Sequence, residues 1–236
     1  RLSLVGSEMC IRDSINTVYK VQMEGLMRLK AMAKINLGLD VLGKREDGYH
    51  EVRMIMQTIR MYDILDIRKT RRPGIVLTTN LPFIPTDQRN LVYKAAQMLM
   101  EEFDVEEGLS IKLRKFIPVA AGMAGGSSDA AAAFVGVNRM FHLGLTEEQL
   151  MERAVKVGAD VPYCIMRGTA LAEGIGEKLT RLPEVPKCYV LIGKPGINVS
   201  TKTAYENLNL EGIGKHPDID GLIGAIRNLS LIHISE

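Results

Sequence analysis

Apolar and polar residues alternate along several stretches of the chain, whereas two other stretches carry apolar residues at helical spacing. Alternation predicts strands. The alternating stretches are residues 27–42 (one or two strands), 52–60, 63–69, 74–79, 109–116, 169–174, 177–182 and 187–193. Helical spacing predicts a helix over 90–103 with Asn90 as its N-cap, and another over 146–157, where Thr146 and Gln149 form a capping-box pattern. Strand runs broken by single helices predict an α+β fold rather than regular βαβ alternation.

The connections between these elements carry turn residues. Residues 43–50, GKREDGYH, predict a turn with a charge cluster. A glycine-rich segment after the strand at 109–116 opens into an alanine-rich helix that begins near Ser127. After Pro162 the pattern predicts strands, until short helices begin near Ser200 or Thr201 and near Pro217.

The glycine-rich segment is the strongest candidate for chemistry. Its glycines let the backbone approach a ligand closely, and its serines lie where a helix begins, so that free amides and the helix dipole favour a phosphate there. These residues are Gly122, Gly125, Gly126, Ser127 and Ser128. The spacing matches neither the Walker A loop nor G-x-G-x-x-G. The alternative is a tight strand-to-helix turn in which the serines and Asp129 act only as caps.

A phosphate loop without its own lysine needs a cation and a base from elsewhere in the chain. Lys34 lies in the middle of a predicted strand between apolar neighbours, where a lysine is unexpected. Asp160 lies between a helix end and a proline, which is also the setting of an ordinary solvated turn carboxylate. Tyr49 and His50 end the charged turn. Each of these signals is weak alone.

Composition bounds the class of protein. The 236 residues are 46% hydrophobic and 25% charged, which excludes a disordered, collagenous or membrane-embedded chain. The net charge of +2 comes from 30 basic and 28 acidic residues, so the overall field implies no nucleic-acid partner. Cys10, Cys164 and Cys188 form neither a zinc pattern nor a disulfide framework. With no signal peptide and no apolar run near the ~20 residues that span a bilayer, the sequence predicts a cytoplasmic protein without a membrane partner.

Three segments together, in this order, resemble the GHMP kinases: AKINLGLDVLGKREDGYHEV from residue 33, PVAAGMAGGSSDA from residue 118 and GADVP from residue 158. Within that family, they are similar to the branch of non-mevalonate isoprenoid synthesis whose small-molecule substrate carries a cytidine diphosphate. The resemblance implies a two-lobed fold. Residues 27–168 would form an N-terminal, ribosomal-protein-S5-like ATP-binding domain, and 169–228 an incomplete ferredoxin-like C-terminal domain.

The resemblance also implies roles for individual residues. Lys34 and Asp160 would be catalytic, with ATP as co-substrate together with Mg²⁺ and no dedicated metal site in the protein. ATP would lie along the loop formed by Pro118, Val119, Ala120, Ala121, Gly122, Met123, Ala124, Gly125, Gly126, Ser127 and Ser128, with Asn90 and Lys115 at the adenine. Ala121 and Ala124 stand where family members often carry glycine. The substrate would contact Asn36, Tyr49, His50, Thr201 and Tyr205, with Asn36 on the same strand face as Lys34.

Alternatives remain open. Another GHMP small-molecule kinase, such as a homoserine or mevalonate kinase, fits the loop, and so does a non-catalytic nucleotide-binding α+β module. A dinucleotide-binding oxidoreductase is disfavoured by the glycine spacing. We expect a monomer or weak homodimer.

The two ends differ from the rest of the chain. Residues 1–14 and 229–236 resemble translated sequencing-adapter read-through, although frayed native termini are the alternative. We therefore expect the natural protein to continue beyond Asn228 with a third glycine-rich motif of the family, and the 236-residue chain itself to be inactive or poorly folded.

Overall fold

Two long antiparallel strands, β1 (Leu26–Lys44) and β2 (His50–Thr70), form the centre of the fold in a computed structural model that describes residues 25–194, 196, 201–210 and 212–228. The adapter-like segments 1–14 and 229–236 lie outside the described residues. The pattern at 52–60 and 63–69 predicts two strands, but β2 is continuous, and the register of its pairing with β1 shifts between Tyr62 and Thr58.

The sheet has six strands, and β2 joins its two halves. One end of β2 pairs with β4 and the other with β5, while β1 pairs along its opposite edge. The remaining strands are β3 (Ile75–Thr79), β4 (Gly108–Arg114), β5 (Thr169–Gly174) and β6 (Lys178–Leu182), in the order β3-β4-β2-β5-β6. All pairings are antiparallel except that of β3 with β4. The sheet therefore runs across residue 168, where the predicted domain division falls.

Helices cover the sheet. They are α1 (Leu91–Glu102), α2 (Gly125–Met140), α3 (Glu147–Ala154), α4 (Val161–Met166), α5 (Thr201–Glu206) and α6 (Ile219–Arg227). The N-cap of α1 at Asn90 and the Thr146–Gln149 capping box of α3 are confirmed. Helix α2 packs on β1 and β2 so closely that a methyl group at Gly136 would lie 2.4 Å from Ile67 Cδ1. None of the described helices is long and apolar enough to cross a membrane.

One helix is missing from the prediction and one predicted strand is wrong. The strands predicted over 169–174 and 177–182 are confirmed as β5 and β6, but α4 was not predicted, because its six residues are all buried and so show no amphipathic period. Residues 187–193 were predicted to be a strand, yet no strand occurs among the described residues after β6. Tyr189 and Leu191 there are exposed, and alternation without a neighbouring strand does not make a ladder.

Candidate active site

The glycine-rich loop leaves β4 and enters α2 without any side-chain cap on the helix. Ala124 is the N-cap residue, in the left-handed conformation with φ 53°, and Gly122 has φ 69°. Asp129 was considered as a cap, but it is buried and its Oδ2 accepts a hydrogen bond from Lys115. The backbone N–H groups in the first turn of α2 therefore have no capping side chain among the described residues, and Gly126 in this turn is exposed.

Lys34 lies beside this loop. Its backbone N–H donates to the carbonyl of Met123 at 3.2 Å, so β1 is joined directly to the loop. The side chain is 5% exposed, and its Nζ donates to Asn36 Oδ1 at 3.0 Å. The prediction that Lys34 and Asn36 share a strand face is confirmed by this contact.

Asp160 brings a carboxylate to the same place from a third element. It is the N-cap residue of α4, but its side chain makes no capping hydrogen bond. Oδ2 lies 3.8 Å from Lys34 Nζ, and 31% of the side chain is exposed. The structure thus brings Lys34, Asn36 and Asp160 together at the edge of the loop, with a solvent-accessible carboxylate beside a buried ammonium.

Lys115 lies beneath the loop rather than in it. Its Nζ contacts Asp63 and donates to Asp129 Oδ2 at 2.6 Å, and all three side chains are buried. Burial, together with the nearby negative charge of Asp63, raises the pKa of Asp129 well above its usual range, against the attraction of Lys115. A methyl group at Gly125 would lie 3.2 Å from Lys115 Nζ. The predicted adenine contact of Lys115 stays a prediction, with its ammonium already paired to two carboxylates.

Both polar atoms of the Asn90 side chain make hydrogen bonds within the protein. Its Oδ1 accepts from the N–H of Val92 at 2.9 Å, and its Nδ2 donates to the carbonyl of Pro85 at 2.7 Å. The side chain of Asn80 bonds both the N–H and the carbonyl of Lys115. An open depression of about 460 Å³ lies between β3 and the segment that precedes α1, lined by residues that include Thr79 and Pro85. The predicted contact of Asn90 with adenine stays a prediction.

Two of the predicted substrate residues, His50 and Tyr205, contact each other. Their rings stack with centroids 4.8 Å apart, and Tyr49, which precedes His50 in the chain, is 57% exposed. Burial raises the pKa of Tyr205, and the negative charge of Asp160 adds to this effect, so Tyr205 lies within the electrostatic reach of Asp160. Thr201 is the first residue of α5, and its side chain lies outside what the structure describes.

Sequence reasoning missed Gly176, in the turn between β5 and β6. Its φ is +108°, and a methyl group there would lie 2.9 Å from Met54 Cε and 3.9 Å from Asp160 Oδ1. The close approach of this turn to Asp160 therefore depends on a glycine. The only signal in the sequence was a glycine between two predicted strands.

Comparison with known proteins decides the family. Residues 90–168 match the family model described as the GHMP kinases N terminal domain. A 4-diphosphocytidyl-2-C-methyl-D-erythritol kinase of Lachnospira eligens is 57% identical over 201 residues, covering 85% of this chain and 70% of the relative. The chain belongs to the 4-diphosphocytidyl-2-C-methyl-D-erythritol kinase family. A second member, from Lachnoclostridium phytofermentans, is 56% identical over 210 residues, covering 89% of this chain and 72% of that one.

Solved structures agree with this membership of the 4-diphosphocytidyl-2-C-methyl-D-erythritol kinase family. The crystal structure of a 4-(cytidine 5'-diphospho)-2C-methyl-D-erythritol kinase superposes with a TM-score of 0.70 at 31% identity, covering 86% of this chain and 72% of that one. A homoserine kinase from Cytophaga hutchinsonii, at 18% identity and a TM-score of 0.65 over 90% of this chain and 71% of that one, shares the fold. The predicted α+β GHMP-kinase fold is confirmed.

Proposed function

We propose that the protein transfers the γ-phosphoryl group of ATP to the 2-hydroxyl of 4-diphosphocytidyl-2-C-methyl-D-erythritol, a step of non-mevalonate isoprenoid synthesis. The observation that carries this proposal is the Lys34–Asp160 pair, with 3.8 Å between Nζ and Oδ2, at the edge of an uncapped helix N-terminus. The substrate follows from the relatives, whose names specify it.

Asp160 is the proposed base. Its partly exposed carboxylate accepts the proton of the substrate hydroxyl as that oxygen forms a bond to the γ-phosphorus and the bond from the γ-phosphorus to ADP breaks. Lys34 holds a positive charge beside Asp160, where it orients the carboxylate and offsets the negative charge that develops on the phosphoryl oxygens. Asn36 fixes the ammonium through the 3.0 Å hydrogen bond.

The amides at the start of α2 are proposed to hold the phosphates of ATP. A helix N-terminus presents unpaired N–H donors and a partial positive charge, and among the described residues no side chain caps the N-terminus of α2. Mg²⁺ is usually bound by substrate phosphates and water with one or two protein oxygens, and the hydroxyl of Ser127 in the first turn of α2 is suited to be one of them. When bound, Mg²⁺ would neutralise charge on the β- and γ-phosphates.

The cytosine is proposed to bind at the aromatic cluster of Tyr49, His50 and Tyr205. The three side chains lie at the start of β2 and on α5, and Tyr205 is within reach of the charge of Asp160. Because His50 stacks directly on Tyr205, a base that uses this face of Tyr205 enters only if the His50 ring turns away. His50 would then bind the polar edge of the base.

The experiment measures phosphoryl transfer with the cytidine substrate, homoserine and mevalonate as separate acceptors, and identifies the product by phosphorus NMR. It uses the 236-residue chain and, alongside it, the same chain extended with the remaining C-terminal residues of the Lachnospira eligens relative. Turnover of the cytidine substrate by either form supports the proposal.

Other outcomes favour the alternatives. A clear preference for homoserine or mevalonate would overturn the substrate assignment and keep a GHMP kinase. Binding of an ATP analogue that is lost in Gly125→Ala, with no transfer to any acceptor by either form, would support a non-catalytic nucleotide-binding module.

A further inference from the structure

A closed ring of hydrogen bonds surrounds the hydroxyl of Tyr163, a side chain only 1% exposed. This hydroxyl donates to the carbonyl of Gly168 at 2.7 Å and lies 3.0 Å from Thr58 Oγ1, which itself accepts from the N–H of Gly168 at 3.1 Å. The N–H of Thr58 also donates to the carbonyl of Gly168 at 3.0 Å. Since the one proton of Tyr163 goes to Gly168, Thr58 donates its hydroxyl proton to Tyr163.

This ring joins α4, whose N-cap residue is Asp160, to β2, the strand that pairs with β1 at Lys34. Thr58 is the residue of β2 paired with Lys34 of β1, next to an irregularity in the register of the two strands. Tyr163 lies in the first turn of α4, and that turn is closed by the N–H of Cys164 donating to the carbonyl of Asp160 at 3.1 Å. Thr58, on one side of the ring, is therefore the strand partner of Lys34. Tyr163, on the other side, lies within one helical turn of Asp160.

Asp160 has little else to hold it in place. Its carboxylate makes no capping hydrogen bond, and the 3.8 Å to Lys34 Nζ exceeds hydrogen-bond length. The backbone that returns from α4 is strained at Arg167, with φ 60°, and Gly168 follows with φ 83°, which glycine adopts freely. The position of the carboxylate therefore depends on how α4 is held, by packing on α2, α3 and β1 and by the hydrogen bonds of the ring, which tie it to β2.

We propose that Tyr163 and Thr58 are positioning residues for phosphoryl transfer, which hold α4 against β2 and so fix the separation between Lys34 and Asp160. The proposal rests on the proposed kinase function. Neither side chain touches a reacting atom. A phenylalanine would fill the apolar space at residue 163 equally well, so the buried hydroxyl needs a reason beyond packing.

The experiment compares Tyr163→Phe, Thr58→Val, Thr58→Ser and the double variant Tyr163→Phe/Thr58→Val, in whichever form of the protein carries turnover. Because displacements below 1 Å at a reacting group are costly, we expect Tyr163→Phe and Thr58→Val each to lower kcat about tenfold, with KM for both substrates within twofold of wild type. Thr58→Ser keeps the hydroxyl and should restore kcat. The double variant should be no slower than the slower single variant, because both changes break one ring.

Thr146→Ala is the matched control, because it removes the capping box of α3 without touching the ring. It should lower Tm with kcat unchanged, which separates a loss of stability from a loss of position. A Tyr163→Phe variant that keeps kcat within twofold of wild type while Tm falls would overturn the proposal. Equal kcat values for Thr58→Val and Thr58→Ser would also overturn it.

A crystal structure of Tyr163→Phe gives a readout that does not need activity. We expect the separation of Lys34 Nζ and Asp160 Oδ2 to move from 3.8 Å by a measurable fraction of an ångström. An unchanged separation would overturn the positioning role. If wild type transfers no phosphoryl group, the proposed function fails, while this structure still decides whether the ring sets the geometry.

Discussion

The Nζ of Lys34 and the Oδ2 of Asp160 lie 3.8 Å apart, one on the central strand β1 and the other at the start of the short helix α4. The backbone of Lys34 is bonded to Met123, so the pair also adjoins the glycine-rich loop. Three segments distant in the chain thus place a cation, a carboxylate and unpaired amides in one small region, which is the arrangement that phosphoryl transfer requires.

Removing either charge should abolish most of the turnover. We expect Lys34→Ala and Asp160→Asn each to lower kcat by about 10²-fold or more, because one removes electrostatic stabilisation and the other the general base. Steady-state assays with the cytidine substrate measure this. Lys112→Ala, at an exposed lysine on β4, is the control and should keep wild-type kcat. Losses below tenfold for both site variants would refute the assigned roles.

Ala124 should be improved by glycine. A left-handed alanine costs about 1–2 kcal/mol, which exceeds the roughly 0.5–1 kcal/mol that a glycine loses in chain entropy. We expect Ala124→Gly to raise the free energy of unfolding by about 0.5–1 kcal/mol, measured by urea titration. Ala121, which has no positive φ, provides the comparison. Ala121→Gly should lower stability slightly, and the opposite order would contradict the strain argument.

Lys115 should matter for folding more than an exposed lysine does. Lys115→Met leaves the buried carboxylates of Asp63 and Asp129 without their cation, so the free energy of unfolding should fall by about 3–5 kcal/mol. Lys112→Met should change it by no more than about 0.5 kcal/mol. Chemical denaturation of the two variants in parallel tests this. A loss below about 1 kcal/mol in Lys115→Met would show that water or rearrangement compensates the carboxylates.

Tyr205 should act on the cytidine substrate and not on ATP. Because stacking of a base on an aromatic ring is worth about 1–3 kcal/mol, Tyr205→Ala should raise KM for the cytidine substrate about tenfold or more. Tyr205→Phe keeps the ring that stacks on His50 and should stay within about twofold of wild type. KM for ATP serves as the internal reference, and an equal rise in both KM values would remove the assignment of this cluster to cytosine.

Asp66 should make stability depend on acid pH. Burial raises the pKa of Asp66, but the hydrogen bonds and charges of Arg28 and Arg114 outweigh burial and hold it below 3.8. A carboxyl group with a depressed pKa in the folded state stabilises the fold above its unfolded pKa and loses that contribution as pH falls. Unfolding midpoints below pH 4 should therefore drop more steeply for wild type than for Asp66→Asn. Parallel curves for the two proteins would contradict this.

Local features of the chain were readable wherever neighbouring residues decide them. The N-cap at Asn90, the capping box at Thr146 and the strand β5 follow from side chains within one turn or one short run. The helix α4 could not be read in this way, because it is buried on all sides and shows no period. The strand predicted over 187–193 failed for the opposite reason, since its alternation was present and a partner strand among the described residues was not.

The sequence by itself determined the family, the phosphate-loop signature and the residue types that a kinase needs, because these are properties of short segments in a fixed order. Only the tertiary structure decided that Lys115 lies buried between two carboxylates, that His50 stacks on Tyr205, and that a ring around Tyr163 joins the helix of Asp160 to β2, the strand paired with Lys34. Such contacts join distant segments through burial and hydrogen-bond geometry, and no periodicity along a single chain encodes which distant atoms meet.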